Sequence, residues 1–142
     1  MLRFMGLLVL VVGFVISGGC KKEAPKTKTV LKGSEFSASQ GLPDRDPQLA
    51  KKLVEEQGAL LLDVRTPGEY ERGHIKGAKL LPIQDFERQI QKIEEWTKGD
   101  KSKPIVVYCQ SGGRAARAKE ILLKYGYKKV TNLGGYQDWP SN

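Results

Sequence analysis

The chain has 142 residues, two of them cysteines, and carries 24 lysine and arginine residues against 16 acidic ones, a formal net charge of +8. This length is enough for one compact domain and too short for two. The basic charge favours anionic small molecules or lipid headgroups as partners. The lysines are scattered and form no compact run interleaved with aromatic residues, which argues against nucleic acid.

Residues 1–19 have the composition of a signal peptide. Arg3 gives a short positive start, residues 4–16 are almost entirely apolar, and Ser17, Gly18 and Gly19 are the small residues expected at a cleavage site. The apolar run is shorter than the roughly 20 residues that cross a bilayer, so an uncleaved anchor is the weaker alternative.

Cys20 follows these small residues directly, and the arrangement resembles the lipobox of bacterial lipoproteins. It departs from that pattern at Ser17, where a leucine is usual. The resemblance implies that Cys20 becomes the lipid-modified N-terminus of an exported protein, held at the periplasmic or extracytoplasmic face of a bacterial membrane. Simple secretion is an alternative. Loss of residues 1–19 removes only Arg3 among the charged residues and lowers the formal charge from +8 to +7.

Residues 20–45 are rich in Lys, Ser, Gly and Pro and are interpreted as a lipid-anchored linker. A domain over residues 46–142 follows. Asp46 and Pro47 begin a predicted helix that ends at Gly58. A second helix is predicted over 84–97. A third has a buried face of small, aliphatic and aromatic residues before Gly126: Ala115, Ala118, Leu122 and Tyr125.

Three short predicted strands alternate with these helices: 59–64 and 104–109 are continuous apolar runs, and 128–133 is the third. Continuous apolar runs bounded by turn residues are typical of buried parallel strands. The sequence therefore predicts an α/β fold, a parallel sheet with helices on both faces.

Cys109 ends the second predicted strand, and Gly112 and Gly113 precede the next helix. Ligands bind beyond the carboxyl ends of strands in such a sheet. The glycines allow backbone N–H groups to converge, and the helix N-terminus with Arg114 would stabilise a thiolate and an anion beside it. The alternative is that Cys109 is a small buried hydrophobic residue followed by a turn.

Three separated motifs carry a family resemblance. They are CQSGGRA at 109–115, LLDVRTPGEYERGHIKGAKLLPI at 61–83 and LGGYQDW at 133–139. Together they resemble the active-site loop, the upstream signature and the C-terminal signature of the rhodanese (sulfurtransferase) family. The resemblance covers about residues 46–140. Lys76 stands where the family often has proline, a change expected to alter a turn only.

The resemblance implies a catalytic Cys109 that accepts a sulfane sulfur as a persulfide, with no metal and no organic cofactor. The expected substrate-binding residues are the rest of the loop and one upstream arginine: Gln110, Ser111, Gly112, Gly113, Arg114 and Arg65.

Three further residues are interpreted as architectural. Asp63 pairs with Arg65, Glu69 orients one of the arginines, and His74, the only histidine, holds its own loop.

The preferred function is transfer of sulfur from a small anionic donor such as thiosulfate to a thiol, protein or other thiophilic acceptor. One alternative is a sulfur carrier or protein-docking module without turnover, since fold alone does not determine function. A weaker one is an arsenate or phosphate ester enzyme. The loop of six residues from Cys109 to Arg114 argues against it, because related phosphatases have one residue more.

Overall fold

The computed structural model describes residues 41–141. The predicted signal peptide, Cys20 and residues 21–40 of the predicted linker lie outside the described residues. The helices are α1 (Pro47–Gln57), α2 (Pro67–Glu71), α3 (Ile90–Thr97) and α4 (Gly113–Lys124). The strands are β1 (Leu60–Asp63), β2 (Lys79–Leu80), β3 (Ile105–Cys109) and β4 (Val130–Gly135). Short 3-10 helices span Ile83–Asp85 and Tyr136–Asp138.

The four strands form one parallel sheet in the order β2-β1-β3-β4. Leu62 of β1 lies opposite Val107 of β3, which lies opposite Asn132 of β4. The register shifts after Val107, so that Cys109 pairs with Gly135. The prediction of a parallel α/β domain is confirmed.

Alternate strand residues point to opposite faces, and each face has its own core. On one face α3 and α4 cover Leu62, Val107 and Cys109. On the other, Ala50 and Leu53 of α1 pack with a second set of buried residues: Leu61, Ile75, Ala78, Val106, Tyr108 and Leu133. Helices therefore lie on both faces of the sheet. Within residues 41–141, no helix is long and apolar enough to span a bilayer.

Helix α1 begins and ends as its sequence predicts. The Asp46 carboxylate accepts a hydrogen bond from the Leu49 N–H at 2.9 Å, and Pro47 occupies the first turn, where its missing N–H costs nothing. Gly58 closes the helix in the left-handed conformation, with φ of 61°.

The single helix predicted over 84–97 is wrong in its first half. A 3-10 turn covers Ile83–Asp85, and the α-helix begins only at Ile90. No side chain caps either start, and tight i→i−3 hydrogen bonds such as Phe86 N–H to Ile83 O occupy the interval. Phe86 and Ile93 are still fully buried, so the apolar spacing is satisfied without a continuous helix.

The buried face predicted for the last helix is wrong at Tyr125, which is 44% exposed. Helix α4 ends at Lys124, and Gly126 turns the chain with φ of 88°. The N–H of Tyr127 bonds to Leu122 O and that of Gly126 to Leu123 O, the pattern of a Schellman motif. Tyr127, 1% exposed, consequently occupies the core instead.

Residues 41–45, which the sequence places in the linker, lie alongside β4. The N–H of Leu42 bonds to Val130 O, and that of Arg45 to Asn132 O, both at 2.8 Å. The side chain of Lys119 donates to Leu42 O and to the Asp44 carboxylate. The outer edge of β4 is therefore paired over part of its length.

Candidate active site

The site is the loop between β3 and α4. Strand β3 ends at Cys109, and α4 begins at Gly113. Gly112 has φ of 95°, a conformation that side-chain-bearing residues avoid. The Gly112 N–H points at Cys109 Sγ, 3.0 Å away, and the positive φ then turns the chain into α4.

Two opposing influences act on the pKa of the Cys109 thiol. Burial, the largest, raises it, because a charged sulfur is poorly solvated there. Hydrogen bonds from the backbone N–H groups of Ser111, Ala115, Gly112 and Arg114 lower it, and together they outweigh burial. The pKa of Cys109 therefore lies below its ordinary value, and the loop favours a nucleophilic thiolate.

Arg114 and Glu69 form a two-pronged ion pair beside the loop. Nη1 and Nη2 of Arg114 each donate to one oxygen of the Glu69 carboxylate at 2.7 Å. These hydrogen bonds raise the pKa of Arg114 and, as the largest cause, hold that of Glu69 well below its usual range. Glu69 therefore fixes the position of Arg114, as the sequence analysis expects for one of the arginines.

Arg65 is buried and hydrogen-bonded just after β1. Its guanidinium donates to both Asp63 oxygens, at 2.7 to 3.0 Å, and to the Gly73 carbonyl at 2.7 Å. It also lies over the Tyr136 ring, 4.7 Å from its centre. These contacts make the Asp63–Arg65 pair a link between β1, the loop after α2 and the segment after β4.

The loop after α2 is held by aromatic groups. His74 stacks on Tyr70 with ring centres 3.7 Å apart, and its Nδ1 lies 3.1 Å from the Tyr70 carbonyl oxygen. The Tyr70 hydroxyl donates to Ala78 O, and the Ile75 N–H donates to the Tyr108 hydroxyl. His74 is thus engaged in packing its own loop.

Strand β4 packs against the loop that carries Cys109. The Asn132 side-chain amide donates to Gly112 O at 3.1 Å. A Cβ on Gly135 would lie 2.7 Å from the Gln110 carbonyl oxygen, so only glycine permits this approach. The glycines at the end of β4 are therefore part of the site.

Arg45 also contacts this loop, and the sequence analysis missed it. Its Nη2 donates to the Ser111 carbonyl oxygen at 3.3 Å. Arg45 precedes the first predicted helix by two residues and belongs to no motif, so no sequence signal connects it with a loop 66 positions away.

A cavity of about 200 Å³ lies next to the loop. It is lined by arginine, glutamate, glutamine, tyrosine and glycine residues: Arg65, Glu69, Arg72, Gly73, Gln110, Tyr136 and Gln137. Of the six predicted substrate-binding residues, the structure places Gln110 and Arg65 at this cavity. Ser111 and Gly113 are exposed on the loop, and Arg114 is half-buried beside it.

A family model for the rhodanese-like domain matches residues 46–142. The chain belongs to the rhodanese-like domain family. The parallel α/β fold agrees with that membership.

Relatives of this rhodanese-like chain carry different names. It is 36% identical to the thiosulfate sulfurtransferase PspE of Escherichia coli, over 54% of the chain and 70% of that protein. It is 32% identical to the putative sulfur carrier protein YrkF of Bacillus subtilis, over 76% of the chain and 57% of that protein. It is also 36% identical to the tRNA uridine(34) hydroxylase of Hamiltonella defensa, over 59% of the chain but only 24% of that protein.

Among solved structures, a human single-domain sulfurtransferase, TSTD1, superposes with a TM-score of 0.59 at 25% identity. The match covers 70% of this chain and 96% of that one. The family is therefore one of sulfur transfer, and its rhodanese fold is shared by this chain.

In the part of the chain that the structure describes, no three His, Cys, Asp or Glu side chains are grouped as a metal ion would require. Cys109 is the free cysteine of this part. The loop therefore offers three groups for chemistry: the buried sulfur of Cys109, the N–H groups that point at it, and the guanidinium of Arg114 held by Glu69.

Proposed function

We propose that the protein is a sulfurtransferase that moves a sulfane sulfur through a persulfide on Cys109. The observation that carries this proposal is the Gly112 N–H aimed at Sγ from 3.0 Å, within a loop whose N–H groups lower the pKa of the thiol. A sulfur nucleophile needs the thiolate form, and N–H groups around it also suit the anions that donate sulfur.

The proposed first half-reaction uses thiosulfate or a donor of the same kind. The Cys109 thiolate attacks the outer sulfur, a new S–S bond forms, and the old one breaks as sulfite leaves with its electron pair. The loop N–H groups then face the persulfide anion. Because Cys109 is only 1% exposed, a small donor suits the site better than a large one.

The second half-reaction transfers the outer sulfur to an acceptor. A nucleophile such as cyanide or a thiolate attacks that sulfur, and the Cys109 thiolate leaves with the electron pair of the S–S bond. Covalent catalysis of this kind has a ping-pong kinetic signature. We propose that an anionic donor or acceptor binds in the cavity beside the loop, lined by Arg65, Arg72 and Gln110.

The test compares the full chain carrying Cys20→Ser, purified in detergent, with the same chain carrying Cys109→Ser as well. In the first protein Cys109 is the only thiol. We expect thiosulfate to add one sulfur atom to the intact mass, cyanide to remove it with repeated turnover, and both effects to vanish in Cys109→Ser.

A sulfur carrier is the second candidate, favoured by the similarity to the putative carrier YrkF. A carrier gains the sulfur atom and shows no turnover with cyanide. A mass that never changes, in a protein that still unfolds cooperatively, would contradict both candidates.

We further propose that a lipid on Cys20 anchors this domain to the extracytoplasmic face of a bacterial membrane. Support comes from the sequence alone: Arg3, the apolar residues 4–16 and the small residues before Cys20. Protein expressed in a bacterium and extracted from its membranes is expected to begin at Cys20 with the added mass of acyl chains. An N-terminus at Met1 without added mass would refute the anchor.

A further inference from the structure

One peptide unit of the catalytic loop has a polar contact on each side. The Ser111–Gly112 peptide donates from its N–H to Cys109 Sγ at 3.0 Å and accepts at its carbonyl oxygen from Arg45 Nη2 at 3.3 Å. In a trans peptide the N–H and C=O point in opposite directions. These hydrogen bonds thus connect the Arg45 guanidinium, through the dipole of this peptide, to the Cys109 sulfur.

Arg45 reaches this position because its backbone is fixed on both sides. Its own N–H bonds to Asn132 O at 2.8 Å, and the preceding Asp44 accepts from the Asn132 N–H and from Lys119. The following Asp46 caps α1. Arg45 has φ of 56°, in the left-handed region that residues with a side chain rarely adopt.

We propose that Arg45 is a positioning residue for Cys109: its guanidinium orients and polarises the Ser111–Gly112 peptide, whose N–H stabilises the thiolate. A donor on the carbonyl side increases the positive character of the N–H on the other side, as in any hydrogen-bonded chain. The guanidinium lies across this peptide from the sulfur, and its positive charge favours the thiolate.

Other charged groups face the loop from neighbouring elements. Arg114 of α4 contributes positive charge near Cys109 and is paired with Glu69 of α2. Asp63, the last residue of β1, pairs with Arg65 just after it, and Arg72 lines the cavity beside the loop. Asp138 after β4 accepts from the Gly135 N–H. Arg45 differs from all of these because its hydrogen bond goes to the peptide that touches the sulfur.

The test is a pH titration of the Cys109 thiolate by its ultraviolet absorbance. It uses the full chain with Cys20→Ser in a non-absorbing detergent, after subtraction of the Cys109→Ser spectrum. We expect Arg45→Ala to move the midpoint to higher pH and to lower the thiolate fraction below the midpoint about threefold. Arg45→Lys should fall between the two because it keeps the charge and loses the planar fork.

Arg45→Gly is the second variant, and it is expected to fold normally because glycine adopts a positive φ without strain. It should raise the midpoint as Arg45→Ala does. Lys128→Ala, in the exposed turn before β4, removes an equal charge at the opposite end of the sheet and should leave the midpoint unchanged. A wild-type midpoint in Arg45→Gly, or an equal shift in Lys128→Ala, would overturn the proposal.

This inference deepens the proposed sulfur transfer by assigning a residue that prepares its nucleophile. The titration needs no donor and no acceptor. Its failure would therefore leave sulfur transfer by Cys109 intact, and failure of sulfur transfer would leave the titration result valid.

Discussion

The single carboxylate of Glu69 makes hydrogen bonds at the start of α2 and to Arg114 of α4. Its Oε2 accepts from the Thr66 N–H and hydroxyl, which completes the capping box of α2. The same carboxylate holds both guanidinium nitrogens of Arg114 on α4. Because every one of these donors favours the ionised form, the native state stabilises the Glu69 anion relative to the unfolded chain.

Glu69→Gln is expected to lower the free energy of unfolding at neutral pH by about 1–2 kcal/mol, because an amide nitrogen replaces an oxygen that Arg114 and Thr66 share. The pKa of Glu69 is depressed in the native state, so its contribution is present above the ordinary value of 4.5. It is lost as the pH falls below that value towards the native pKa. Urea unfolding at several pH values should therefore show the two proteins converging in acid.

Glu95→Gln is the matched control, since Glu95 is an exposed acid of α3. It should unfold like the wild type at each pH. A constant difference between wild type and Glu69→Gln across the acid range would contradict the assigned role of the carboxylate.

Residue identities at the loop could be predicted because the chemistry is local. Cys109, Gly112, Gly113 and Arg114 are consecutive or nearly so, and their order alone predicts the nest. Arg45 could not be predicted in this way, because its contact with Ser111 depends on how residues 41–45 lie against β4.

At the scale of elements, the end of β4 determines how closely the Cys109 loop can approach the sheet. Gly135 pairs with Cys109, and its position leaves no room for a side chain beside Gln110 O. Its φ of −88° is accessible to any residue, so the need for glycine here is one of space and not of backbone conformation.

Gly135→Ala is expected to displace Gln110 and with it the loop. Overpacking against backbone costs about 1–3 kcal/mol, and a shifted loop should reduce sulfur transfer tenfold to a hundredfold, on the order seen when reacting groups are misplaced. Thermal unfolding and the thiosulfate–cyanide assay measure the two effects.

Gly68→Ala is the comparison variant, because a Cβ on Gly68 meets nothing within 4 Å. It lies inside α2, where alanine is a better helix former than glycine. It should retain full stability and activity. Equal behaviour of the two alanine variants would show that the space beside Gln110 is not limiting.

Elements with clear local signals could be predicted, and the shortest ones could not. Helix α1 has its N-cap, proline and terminal glycine in the sequence, and β1 and β3 are continuous apolar runs. Strand β2 has two residues and α2 has five, too few to give a periodic pattern. Both depend on tertiary contacts, such as the bond from the Tyr70 hydroxyl to Ala78 O.

At the scale of the molecule, alternation of strands and helices predicts the parallel sheet and its two covered faces, because parallel strands require crossover connections. The strand order β2-β1-β3-β4 cannot be predicted from the local sequence pattern of each element. It places the first strand of the chain in the interior of the sheet, between β2 and β3.

The pairing of residues 41–45 with β4 has a consequence for the order in which the chain folds. The Asn132 N–H bonds to Asp44 and the Thr131 hydroxyl to Pro43 O, each across 88 positions of sequence. Synthesis proceeds from the N-terminus, so Pro43 and Asp44 cannot make these contacts until Thr131 and Asn132 have been synthesised. Loop closure over such separations is slow compared with helix formation. The edge of the sheet is therefore completed late, after β4 has left the ribosome.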